Sequence, residues 1–260
     1  GVRYMDEYVG ELHADLERAG VREDTLVIVS ADHGENLGEL NVYGDHQTAD
    51  EYTCNVPLVV EGPGVDPGVD DDLHYNVDFA PTVTDLAGGE SAAGWDGRSF
   101  ADAVTGDGAA GRDYLVLSQG TWACQRAVRF DDYLLVRTYH DGFKQFEPVE
   151  LYDLDADPHE TENVARERPD VVARGTTLLQ EWKSARMVED ATGEAGGNPG
   201  APRAFTDPLM EVISEGGPYY TRGNLASYAE RLRETGREGH AERLERTGGI
   251  VEQSVADYLD

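Results

Sequence analysis

Apolar residues recur at helical spacing in the first twenty positions: Met5, Tyr8, Val9, Leu12 and Leu16 share one face of an amphipathic helix, with charges on the other. Short Val/Ile/Leu runs follow, "TLVIVSAD" and "VPLVVEGPG", which read as strands buried on both faces. "VDFAPTVTDLAGG" predicts a helix that tolerates Pro81 in its first turn and stops at Gly88 and Gly89. This alternation of strands and helices predicts an α/β parallel sheet. Near residue 112 the pattern changes. "YLVLSQ", "ACQRAVRF", "DYLLVRTY" and "VELYDLD" succeed one another with short turns, as in an antiparallel sheet. A helix fits "RPDVVARGTTLLQEWKSARM", a linker fits "EDATGEAGGNPGAPRA", and polar helical segments follow that would pack on the domain or on a partner. The expected organisation is an α/β core over residues 1–111, an antiparallel subdomain with a closing helix over 112–188, and a linker with a helical tail over 189–260.

The 260 residues are 39% apolar, enough for one large core or a domain with an appendage. No run of about 18 apolar residues exists, so no membrane span is expected. A domain rarely opens on an amphipathic helix, and residue 1 is not methionine, so an upstream segment is expected. The net charge of −31, from 52 acids against 21 bases, argues against nucleic acid as a partner, because phosphate would be repelled. Only Lys144 and Lys183 are lysines; every other base is arginine. Such surfaces look like those of salt-loving organisms, where screening relieves the repulsion among acids. Cys54 and Cys124 make neither a disulfide framework nor a metal knuckle and read as buried free thiols.

The chemistry concentrates in "TLVIVSADHGENLGEL", where an apolar run meets Asp32, His33 and Gly34. In mid-strand, adjacent side chains point to opposite faces, so Asp32 and His33 can share a ligand only where the strand ends and Gly34 frees the backbone to turn. Open α/β sheets bind ligands at the carboxyl ends of their strands. A carboxylate and an imidazole placed there are candidate ligands for a divalent cation, and a polar strand end is the alternative.

Taken together, "VIVSADHGENLGE", "YGDHQTADEYTCNVPLVVEGPGV", "HYNVDFAPTVTDLAG" with "WDGRSF", and "LYDLDADPHETENVA" resemble, in order and spacing, the C-terminal half of the sulfatase family within the alkaline phosphatase superfamily. The resemblance covers residues 1 to about 185. It implies an α/β sulfatase-like sheet sandwiched by helices, cut at its N-terminus, with a small antiparallel C-terminal subdomain and a helical tail. It also implies a hydrolase of small-molecule or carbohydrate sulfate esters; the compartment is not encoded in these residues, and the cytoplasm is taken as the default. Asp32 and His33 match positions that bind a divalent ion, usually calcium and here also manganese or magnesium. His46, eleven residues before Pro57, matches a cation that touches the sulfate or its leaving oxygen. Leu40 stands where many relatives carry histidine.

The family's nucleophile is a formylglycine made from Cys or Ser in C/S-x-P-x-R, and that motif is absent from these 260 residues, as are two further acidic ligands expected upstream. The chain is therefore expected to be inactive alone. Two alternatives share the resemblance: a phosphonate monoester or phosphodiester hydrolase, and a non-catalytic degenerate member. "DLDADPHETENV" has the Asp153, Asp155, Asp157 beat of a calcium loop, but Pro158 replaces the required glycine and Val164 the bidentate glutamate, so an EF-hand is rejected. His13, His74, His140, His159 and His240 lack ligand spacing and read as surface or capping residues. Tyr219 and Tyr220 could line a cleft or pack the tail, and packing is the expected role.

Overall fold

The fold was analysed in a computed structural model, which describes residues 1–92, 94–106, 108, 111–192 and 207–260. The chain forms two compact units, Gly1–Asp32 with Val56–Gly111, and His33–Asn55 with Arg112–Asp260.

In the first unit α1 (Val2–Ala19) ends at Gly20, whose left-handed conformation lets the following amides cap the last carbonyls. None of its residues is buried, and Met5, Tyr8 and Leu12 are exposed. Strand β1 (Val27–Ser30) pairs with β4 (Leu58–Glu61) antiparallel, from Val27 opposite Glu61 to Ser30 opposite Leu58. This corrects the parallel arrangement that the alternating pattern predicts. A parallel return needs a crossover of a dozen or more residues, usually a helix. Here the intervening residues fold into the other unit, and their one α-helix, α2 (Glu51–Cys54), is a single turn. The unit is completed by α3 (Phe79–Leu86) and α4 (Ala101–Thr105). Buried Asp78 leads into α3 and accepts the backbone N–H groups of Tyr75 and Arg98, both at 2.7 Å.

The second unit contains a short ribbon, β2 (Asn36–Leu37) with β3 (Tyr43–Asp45), and a four-stranded antiparallel meander of β5 (Tyr114–Gln119), β6 (Cys124–Phe130), β7 (Tyr133–His140) and β8 (Val149–Asp153). The four runs that the sequence offered as strands are these four. Both faces of the meander are covered. Val128, Phe130, Leu135 and Leu151 pack under Val172 and Leu179 of α5 (Pro169–Thr192), while Ala127, Leu134, Val136 and Tyr152 enclose Ala49 and Leu40 on the other side. Helix and sheet approach closely at Gly175, where a Cβ would come within 2.8 Å of Leu135 Cδ2.

Most of the expected linker lies outside the described residues. Beyond it, α6 (Pro208–Ser214) starts at Asp207, which forks onto the guanidinium of buried Arg126 at 2.6 and 2.7 Å. Helices α7 (Leu225–Glu234) and α8 (Glu238–Thr247) bury Leu232 and Leu244 against Phe143, and α9 (Val255–Leu259) returns Tyr258 to the main core. The tail thus packs on its own domain. Among the described residues, no helix is long and apolar enough to cross a membrane.

Candidate functional site

The turn after β1 is held by a backbone contact. Gly34 donates its N–H to the Thr53 carbonyl at 2.9 Å, and a Cβ on Gly34 would stand 1.9 Å from the Tyr52 carbonyl oxygen, so only glycine fits. His33 and Glu35 flank this contact. In an extended segment, residues two apart project to the same side. The β2–β3 ribbon pairs Asn36 with Asp45 antiparallel, which sets the preceding Glu35 opposite the following His46. His33, Glu35 and His46 therefore converge, with one ligand atom from each within 4.8 Å of the others.

Within this trio the His46 Nδ1 lies 3.5 Å from Glu35 Oε2, and the two imidazole rings are 3.8 Å apart at 30°. His33 Nδ1 is 2.8 Å from the Gly34 carbonyl. A carbonyl only accepts, so Nδ1 carries the proton, and in the neutral ring the lone pair is on Nε2. The Nδ1 of His46 is buried and makes no hydrogen bond. A metal ion is one partner that would satisfy it. Ligand atoms about 2.1 Å from an ion stand roughly 3–4 Å apart, so the trio needs only a small contraction. Two imidazoles and a carboxylate suit manganese and later transition ions better than calcium.

The scaffold beneath the trio is polar and fully engaged. Buried Asp50 caps α2 by accepting the Thr53 N–H at 2.9 Å, and it also takes the Asn36 amide at 3.2 Å and the Thr48 hydroxyl. Burial raises its pKa above the ordinary carboxylate value despite these donors. From the meander, Gln119 donates to the His46 carbonyl at 2.8 Å, and the Gln125 carbonyl oxygen accepts the Ala49 N–H at 3.1 Å. Asp45 accepts the His46 N–H at 2.8 Å and the Gln47 amide at 2.7 Å. The His46 loop is thus pinned from three sides.

Of the residues singled out in the sequence, His33 and His46 come together, and Glu35 joins them without having been foreseen. Asp32 ends the opening segment of the other unit, where its carbonyl accepts the Asn76 amide at 3.4 Å. Neither cysteine offers a nucleophile. Burial pushes the Cys54 thiol up to about 11 and the Cys124 thiol up to about 12, and both are free. The remaining histidines have other partners or burial: His13 pairs with Glu61, His74 with Asp70 and His159 with Tyr52, while burial lowers His140 to about 4.

Residues 1–89 match the family model Sulfatase. The chain is 33% identical over 198 residues to the choline-sulfatase of Rhizobium meliloti (strain 1021), covering 73% of this chain and 37% of that protein. Among solved structures, one in complex with its substrate D-glucosamine-2-N,6-O-disulfate is 26% identical with a TM-score of 0.60, covering 70% of this chain and 39% of that one. The phosphonate monoester hydrolase of Silicibacter pomeroyi is 27% identical with a TM-score of 0.58, covering 70% and 38%. The chain therefore spans little more than a third of these relatives' length. The fold is that of the α/β sulfatases.

Proposed function

We propose that this chain is part of a metal-dependent sulfatase-family hydrolase of sulfate esters. The observation that carries the reading is the convergence of His33, Glu35 and His46 within the stretch matched by the family model. His33 and Glu35 are the ion's ligands, and the His33 imidazole leans the site toward manganese more than an all-oxygen set would. Bound there, a divalent ion would act as a Lewis acid toward the sulfuryl oxygens.

The chain's own residues supply the rest. The His33 Nδ1–H bond to the Gly34 carbonyl fixes the ring that presents Nε2. Protonated His46 neutralises charge on the group being transferred. With Nδ1 facing Glu35, it delivers its Nε2 proton to the departing alkoxide. The nucleophile is a formylglycine from a segment outside these residues, and by themselves the 260 residues do not turn over substrate.

The test uses the complete gene product in which these residues stand. His46→Ala should lower aryl-sulfate kcat by about 100-fold or more with manganese affinity retained. A matching loss of metal affinity would make His46 a ligand instead, and unchanged turnover would overturn its role. His33→Asn should weaken manganese binding relative to calcium and flatten its fall at acid pH, because the imidazole must be neutral to bind. The likeness to a phosphonate monoester hydrolase supports a second reading, in which phenylphosphonate monoesters would exceed aryl sulfates in kcat/KM.

A further inference from the structure

The stretch leaving β8, "DLDADPHETENV", is no calcium loop, yet its side chains reach the scaffold of the trio. Its own shape is set internally. Asp157 accepts the N–H groups of Thr161 at 2.6 Å and of Glu162 at 2.8 Å. Asn163 ties the end of the turn back to β8, accepting the Leu151 N–H and donating to the Val149 carbonyl, both at 3.0 Å. The turn is therefore braced on the buried meander.

Two of its residues contact the segment that carries the trio. Glu160 accepts the Glu51 N–H, at the start of α2, at 2.8 Å. His159 Nδ1 lies 2.7 Å from the Tyr52 hydroxyl, with the two rings stacked at 5.6 Å and 12°, and 3.8 Å from Glu39 Oε1. Glu39 in turn accepts the Leu37 N–H at 2.7 Å, at the tip of the β2–β3 ribbon. The turn thus holds both supports of the site. One is α2, whose Thr53 carbonyl takes the Gly34 N–H between His33 and Glu35; the other is the ribbon whose register sets Glu35 opposite His46.

Stability does not explain Glu160. It is 3% exposed, its Oε2 is buried without a hydrogen-bond partner, and its φ of 53° lies in the left-handed region that favours glycine. A neutral side chain of the same shape would burden the fold less. Backbone strain and an unsatisfied buried oxygen at one residue mark a place where geometry is used.

We propose that Glu160 and His159 are positioning residues, fixing α2 and the ribbon so that His33 and Glu35 meet one ion while His46 stands beside it. This role rests on the trio being the metal site of the proposed hydrolase, and the test separates the two.

Manganese affinity and melting temperature should be measured together on the complete gene product. His159→Phe keeps a ring on Tyr52 but loses the Nδ1 contacts, at a side chain that is 67% exposed. It should weaken manganese binding about tenfold with the melting temperature unchanged. Glu160→Ala should weaken binding at least as much, and Glu160→Gln, which retains an oxygen for the Glu51 N–H, should restore it. If Glu160→Ala does not fold, His159→Phe and Glu160→Gln decide. A turn that only stabilises would lower the melting temperature and leave the affinity of the folded enzyme as it was. That result, or equal losses in Glu160→Gln and Glu160→Ala, would overturn the positioning role. His33→Ala gives the reference: if it abolishes tight binding while His159→Phe keeps the parental affinity, the positioning role falls and the metal site stands. If His33→Ala binds manganese as the parent does, the metal site falls and the positioning role with it.

Discussion

The two units bury their apolar residues very differently. In the second, Phe130, Leu134, Leu135, Val136, Val149 and Leu151 are fully buried, because the meander is covered on both faces. In the first, α1 has no buried residue, Tyr8 and Leu12 are each 51% exposed, and Val59 of β4 is 57% exposed. A two-stranded ribbon is marginal in water, whereas four strands with packed faces can stand alone. The second unit therefore holds most of the folding free energy that this chain can generate. The His33, Glu35 and His46 trio belongs to that unit, so its geometry depends on the better-packed half.

The largest effect should come from cutting into that core. Phe130→Ala should cost about 3–5 kcal/mol in urea unfolding, while Val59→Ala in β4 should stay within about 0.5 kcal/mol. Similar losses at both sites would erase the contrast between the units. Next in size is Asp207→Ala, which strands the Arg126 guanidinium, only 6% exposed, and removes the cap of α6. A loss of about 3 kcal/mol is expected, and a neutral result would mean that the tail is not anchored to the sheet.

A smaller, pH-dependent effect follows from two buried carboxyls beside the core. Burial, reinforced by neighbouring acids, lifts Glu160 to about 8 and Glu150 to about 7. Their folded-state values exceed the ordinary 4.5, so the native state binds more protons than the unfolded chain. The stability they contribute is complete below that value and is lost as pH rises through about 7 to 8. His140, lowered to about 4 by burial, works in the opposite sense: its contribution is present above 6.5 and lost as pH falls toward 4. Between pH 6.5 and 8 the glutamates act without that opposition. Glu160→Gln should therefore flatten the decline of the melting temperature across this window and stabilise the chain by about 1–2 kcal/mol at pH 8. A decline as steep as in the parent would show that Glu160 is not the titrating group.

The smallest effect is expected from salt. With −31 net charge, the melting temperature should rise between about 0.1 and 2 M KCl as the Debye length shrinks to roughly 3 Å and below. If the rise is absent, the acid surplus is not a determinant of stability.

The contrast between the units also accounts for what could be read in the sequence. The meander was legible because short apolar runs bounded by turn residues, such as "DYLLVRTY", have a buried strand as their simplest explanation, and the α5 helix because its Val172 and Leu179 recur at helical spacing. The antiparallel pairing of β1 with β4 was not, since apolar runs carry no direction and the segment between them leaves for another unit. Glu35 was within reach through its two-residue spacing from His33. Its meeting with His46 was not, because it depends on the register of strands two and three residues long, too short for any periodicity. Tyr220, expected to pack with a cleft as the alternative, does both: it stacks on Trp122 and lines a cleft of about 400 Å³.

Among the described residues, the ribbon of β1 and β4 has an outer edge on each strand, because its sheet has two strands. Each edge offers a row of backbone donors and acceptors to any strand that arrives, and Leu58 and Val59 beside them are exposed. Two copies meeting edge to edge would extend the same ladder, and a third could add to the second. Repulsion between acidic surfaces opposes that encounter, and concentrated salt weakens the repulsion. Conditions that firm up a single molecule thus also lower the barrier to its polymerisation, and the useful working range of the chain is bounded from both sides.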